Sequence, residues 1–125
     1  IEQVKASSSK DVLIEIYIEE QYIDRAIETW ENIDYGGYVL REKIVDAAAA
    51  THPDWAVEQA LIEARHLIGK GSKYYPKAVN WLSKVKQIYL QHDREADWQR
   101  CVAQIRDEYG RKYSLMDQLD KLVKS

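Results

Sequence analysis

At 125 residues the chain has the length of a single domain. Its hydrophobic share of 46% and charged share of 31% are those of a folded, water-soluble protein and not of a disordered one. A net charge of −3 argues against a dedicated nucleic-acid binder. Five glycines and two prolines are too few for a sandwich or barrel, which turns roughly every 8–12 residues. No apolar run reaches the ~18–20 residues that span a bilayer, so no membrane partner is expected. No signal peptide is visible, so a cytoplasmic location is expected. The chain opens on Ile1 and not Met, so a processed or excised piece of a longer protein is expected. Nine Tyr and four Trp with no Phe suit half-buried positions, where the ring packs and its polar tip reaches outward.

In chain order, residues 1–9 are polar and serine-rich and are expected to form a flexible lead or the frayed start of a helix. A single helical-repeat domain is expected over 10–125. Ser8-Ser9-Lys10-Asp11 has the pattern of a capping box, followed by Val12, Leu13, Ile16 and Tyr17 at helical spacing. A second helix carries Ile23, Ala26, Ile27 and Trp30 and ends near Asp34, where Tyr35-Gly36-Gly37 tolerates positive φ. A third, from Tyr38 to Ala50, carries Val39, Leu40, Ile44, Val45 and Ala48 and closes on four alanines. Thr51-His52-Pro53-Asp54 predicts a helix start with Thr51 as the N-cap, and Trp55, Val57, Ala60, Leu61, Ala64, Leu67 and Ile68 continue to Gly69. The stretch 69–73 is loop-like. Pro76 then opens a fifth helix with Leu82, Val85 and Tyr89 on one face. Asp93 is the expected N-cap of a sixth, with Trp98, Val102 and Ile105, and Ser114 of a seventh, with Leu115, Leu119 and Leu122. The chain reads as all-α, with about seven helices.

Successive helix pairs repeat a spacing. Leu13, Tyr17, Ala26 and Trp30 recur as Val85, Tyr89, Trp98 and Val102, and a weaker middle copy is Ile44, Ala48, Val57, Leu61 and Ala64. This pattern resembles the tetratricopeptide repeat, in which antiparallel helix pairs stack as an α-solenoid. The copies are offset unevenly (Tyr17, Ala48, Tyr89), and Val57 and Trp98 stand where a small residue is expected. The predicted architecture is therefore a short, irregular TPR-like solenoid, with an irregular bundle as the alternative. From Tyr75-Pro-Lys-Ala-Val-Asn-Trp-Leu through Tyr89-Leu and Arg94-Glu-Ala-Asp-Trp to Arg111-Lys-Tyr-Ser-Leu-Met-Asp-Gln-Leu, the sequence resembles the C-terminal helical region of bacterial SWIM-type zinc-finger proteins. The looser match around Leu13-Ile14-Glu15-Ile16 and Ala26-Ile27 agrees. The zinc motif of that family, Cys-x-Cys then Cys-x-His, is absent here, so the resemblance implies no metal ligand among these residues.

Chemistry-bearing patterns are sparse. Cys101 is the single cysteine and lies among Trp98, Val102 and Ile105, as a buried structural thiol does. His52, His66 and His92 form no His-x-x-x-His pair, and His52 and His92 read as exposed turn residues. Glu15, Glu19 and Glu20 read as an ordinary exposed helix face. Gly69-Lys70-Gly71-Ser72-Lys73 lacks the spacing and the preceding strand of a phosphate loop and reads as an inter-helix turn. No cofactor is expected.

Charge is the clearest surface signal. Residues 1–35 hold nine acids against three bases, whereas residues 64–92 hold six bases and no acid. Lys70, Lys73, Lys77, Lys84 and Lys86, with Tyr74 and Tyr75, are the predicted partner-binding residues. The expected function is a non-catalytic protein–protein interaction scaffold holding a partner peptide, or the rest of its own chain, on its stacked helices. The alternative is a nucleic-acid-associated accessory module of a SWIM zinc-finger protein, acting through the basic 64–92 layer.

Overall fold

Apolar side chains at three- and four-residue steps, with few helix breakers between them, are buried by packing helix on helix. A computed structural model of the chain describes residues 6–33 and 37–125 and has that form, with seven α-helices and, among the described residues, no strand. The helices group into two units, Ile1–His52 and Pro53–Ser125.

In the first unit, α1 (Ala6–Glu19), α2 (Ile23–Glu31) and α3 (Gly37–Ala48) each pack against the other two. Ile14 of α1, Ala26 and Trp30 of α2, and Leu40, Ile44, Val45 and Ala48 of α3 are buried. The Arg41 guanidinium lies 5.5 Å from the Trp30 ring centroid, a cation against an aromatic face. Helix α1 already includes Ala6–Ser9, so Ser8–Asp11 lies inside it and not at its start. The expected lead before Ala6, and the expected turn at Tyr35-Gly36, lie outside the described residues.

In the second unit, α4 (Pro53–Lys70) runs through a 3-10 turn at Ser72–Tyr74 into α5 (Tyr75–Gln91), followed by α6 (Glu95–Tyr109) and α7 (Tyr113–Lys124). Ala56, Ala60 and Ala64 form a fully buried ridge of small side chains at four-residue steps on α4. Such a ridge lets a neighbouring helix come close. That neighbour is α5, which buries Tyr75, Ala78, Trp81, Leu82, Val85 and Ile88 and packs on α4, α6 and α7 alike. Ion pairs bind the rim of the unit. Arg65 of α4 reaches Glu108 of α6 at 2.9 Å and Arg106 reaches Asp120 of α7 at 2.7 Å.

The turns explain where the sequence-level caps fail. Helix α1 ends with Gln21 at φ 68, Gln21 N–H donating to Ile18 and Tyr22 N–H to Tyr17. Helix α5 ends in the same way, with Asp93 at φ 58, Asp93 N–H donating to Leu90 and Arg94 N–H to Tyr89. Both are Schellman motifs, in which the residue beyond the left-handed one closes back on the helix. Each position recurs 72 residues on, Tyr17 as Tyr89 and Tyr22 as Arg94. The contact that accompanies the motif changes from an edge-on pair of rings, Tyr17 and Tyr22 at 6.5 Å, to Arg94 over Tyr89 at 5.1 Å. Asp93 therefore ends α5 and does not cap α6, whose flanking residue is Arg94. Ser114 sits inside α7, flanked by Lys112. Thr51 turns its hydroxyl to the His52 ring at 2.8 Å, and α4 starts at Pro53.

Of the expected repeat positions, Ala26, Trp30, Val85, Trp98 and Val102 are buried and Tyr17 and Tyr89 half-buried. Leu13 is 38% exposed, and Ile14 beside it is buried in its place. A one-residue step rotates a side chain by about 100° around the helix, which is the whole difference between inward and outward.

Two outcomes test this account. A non-glycine residue in the left-handed region carries a steric penalty of roughly 1–2 kcal/mol. Gln21→Gly and Asp93→Gly should each raise the melting temperature, by up to a few degrees, in thermal unfolding followed by circular dichroism. The second outcome concerns acid. The Asp97 carboxyl is held below the ordinary carboxylate range by hydrogen bonds from Arg94 first and Arg100 second. A depressed carboxylate stabilises the fold above its unfolded value and loses that contribution as pH falls through its folded value. Asp97→Asn should therefore lower the melting temperature at pH 7, and the gap should close as the pH drops below about 3.9.

Candidate partner-binding surfaces

The basic layer read from the sequence does not hold together as one surface. Arg65 is engaged by Glu108, which raises its guanidinium pKa further above the ordinary range. Lys86 Nζ donates to the carbonyls of Leu122 and Ser125, both at 2.9 Å, and so closes the end of α7. Cations near a helix C-terminus are favourably placed against its dipole. Lys84 is half-buried and engaged. Tyr75 is 6% exposed and belongs to the core under α5. Of the expected partner-binding residues, Lys84, Lys86 and Tyr75 are thus occupied by contacts or burial within the fold.

Lys70, Lys73 and Lys77 behave differently. They come from the end of α4, the 3-10 turn and the first turn of α5, and all three are exposed. Their ammonium nitrogens lie 5.2, 5.8 and 5.9 Å from the centroid of one ring, that of half-buried Tyr74. Gly71 makes this corner possible. Its φ of 120 and ψ of 173 fall in a region essentially reserved for glycine, and Tyr74 N–H donates back to its carbonyl at 3.0 Å. The loop-like composition of 69–73 was legible in the sequence, whereas the convergence on Tyr74 needed the geometry.

A second surface was not anticipated. Between α1 and α3 of the first unit lies an open groove of about 620 Å³. Val12, Ile16, Ile18 and Ala47 supply its apolar lining, and Glu15, Glu19, Asp46 and Lys43 its charged lining. Val12 is 53% and Ile16 47% exposed, although the periodicity of α1 assigns both to the core. Lys43 reaches Glu15 at 3.2 Å across the groove. The available signal was that Val12 and Ile16 share a helix face with Glu15 and Glu19, where a wholly buried face would exclude the acids.

One arrangement has the outline of a catalytic relay. His52 Nε2 lies 2.7 Å from Asp24 Oδ1, and Thr51 Oγ1 lies 2.8 Å from His52 Nδ1. With the proton on Nε2, the ring donates to the carboxylate and accepts from the hydroxyl. The Asp24 side chain is 90% exposed, however, and such relays draw their strength from a water-excluded site. The three groups instead pin α2 to the turn after α3. Burial pushes the Cys101 thiol pKa up, which keeps it a thiol and a poor nucleophile at neutral pH. Among the described residues no group of three His, Cys, Asp or Glu side chains is placed to hold a metal ion. No helix among them is long and apolar enough to cross a membrane.

Compared with protein-family models, curated proteins and solved structures, the chain matches none.

The Gly71 geometry gives a direct check. Gly71→Ala meets no steric neighbour for its new methyl group, so its whole effect is backbone strain. A loss of about 1–3 kcal/mol in chemical denaturation is expected.

Proposed function

We propose that this chain is a non-catalytic helical scaffold that holds a segment of a partner protein in the groove between α1 and α3. The observation that carries the reading is the groove itself, with two large aliphatic side chains, Val12 and Ile16, left half in water one helical turn apart. Exposed apolar surface framed by polar groups is characteristic of interaction sites. Apolar side chains four apart on the partner, on one face of a helix, match that spacing. The groove carries three carboxylates and one lysine, so Lys or Arg flanking the apolar anchors complements it. The helix pairs are read as irregular tetratricopeptide-like units. The two matching Schellman turns, 72 residues apart, support this reading, and so does the burial of most repeat positions. The resemblance of the chain after about Tyr74 to the SWIM-protein helical region fits an accessory module of a larger protein.

The experiment is a selection of helical peptides, displayed with randomised anchor and flanking positions, against the full chain. Enriched sequences should carry paired apolar anchors with basic flanks, and Ile16→Asp should weaken their binding about tenfold or more. Ile16 is exposed, so helix content should be unchanged in the variant. Enrichment that ignores flanking charge, or binding that survives Ile16→Asp, overturns the proposal.

A further inference from the structure

Several surface cations in this molecule are met by an acid. Lys43 has Glu15, Arg65 has Glu108, Arg106 has Asp120 and Lys121 has Asp117, while Arg94 and Arg100 share Asp97. By contrast, Lys70, Lys73 and Lys77 gather around one ring, and residues 64–92 contain no acid at all. Bringing three ammonium groups together is unfavourable in itself, even in water. It is maintained here by a glycine in a conformation other residues avoid. The Tyr74 ring offsets part of the repulsion through its negative face.

We infer that the corner formed by Lys70, Lys73, Lys77 and Tyr74 is a receptor for a phosphorylated serine or threonine on a partner protein. From their distances to the ring, no two of the ammonium groups are more than about 12 Å apart, and the flexible four-carbon stem of each lysine lets them close on one anion. A phosphomonoester carries about −1.5 to −2 charges on three strong acceptor oxygens, and matches such a set with one group. A carboxylate offers two oxygens and a single charge. Lysine serves phosphate as a mobile point charge, without the fixed fork that arginine imposes. Nucleic acid fits less well. The chain as a whole carries −3 including these lysines, and the other three bases of residues 64–92, Arg65, Lys84 and Lys86, are already engaged, so that run adds no further unengaged cation for a polyanion to follow. The corner shares no residue with the α1–α3 groove, so either surface can fail its test without the other.

The test uses the full chain and two fluorescent peptide pools that differ only in a fixed central residue, phosphoserine or serine. At about 50 mM salt the phosphoserine pool should bind at least about tenfold more tightly. Lys73→Gln with Lys77→Gln should remove the difference, and Ile16→Asp should leave it intact. Inorganic phosphate should compete, and chloride at equal ionic strength should not. Equal binding of the two pools overturns the inference, as does a phosphate preference that survives the double substitution. Tighter binding of a short thymidine oligonucleotide than of the phosphoserine pool also overturns it, and assigns the corner to nucleic acid.

Discussion

The close approach of α4 and α5 is the contact on which the second unit depends. Three alanines at four-residue steps, Ala56, Ala60 and Ala64, present almost no side chain to the neighbouring helix. The larger Leu82 and Val85 of α5 are likewise fully buried. With one flank so occupied, α5 still has two others, which it gives to α6 and α7. Its buried residues lie on one broad face, with Lys77, Asn80 and Gln87 exposed on the other. The charged clamps from Arg65 to Glu108 and from Arg106 to Asp120 lie at the rim, where exposed pairs contribute modestly and mainly fix register.

The same packing positions the basic corner. Helices that run so closely side by side need a short, sharp connection, and the link from Lys70 to Tyr75 is only four residues. Gly71 supplies the sharp reversal, and the 3-10 turn delivers Tyr74 between the last turn of one helix and the first turn of the next. Lysines at the end of α4 and the start of α5 are thereby drawn to one ring. The corner follows from the connection, and no separate element had to be added to build it.

How much of this was legible in the sequence depends on the range of the interaction involved. Helix number and type were legible because periodicity and the scarcity of breakers are local properties. The burial of Ala26, Trp30, Val85 and Val102 was legible because their three- and four-residue spacing is a local property as well. Capping was misread at Thr51, Asp93 and Ser114 for a common reason. A polar residue near a helix boundary can serve either end of the turn, and the closed Schellman geometry at Asp93 assigns it to the preceding helix. Leu13 and Ile14 are both aliphatic, so composition could not choose between them, and packing did. Lys84 and Lys86 carried the same charge as Lys73 in sequence. Only the fold reveals that the end of α7 lies against Lys86.

Charge in this chain is therefore better understood by partner than by sum. A net of −6 over residues 1–35 and an unbroken basic run over 64–92 suggest two opposed surfaces. In the folded protein the acids nearest the groove are spaced by apolar side chains, and half the bases of the run are engaged within the second unit or at its helix ends. What is left is small and specific, a three-lysine corner in one unit and an acid-edged apolar groove in the other. Long-range attraction from such residual charge is screened within about 8 Å at physiological salt. Each surface must accordingly act by direct contact, and direct contact rewards shape as well as sign. On the proposed function, the groove selects for apolar anchors of a given spacing, and on the further inference the corner selects for a phosphate, so charge alone suffices at neither.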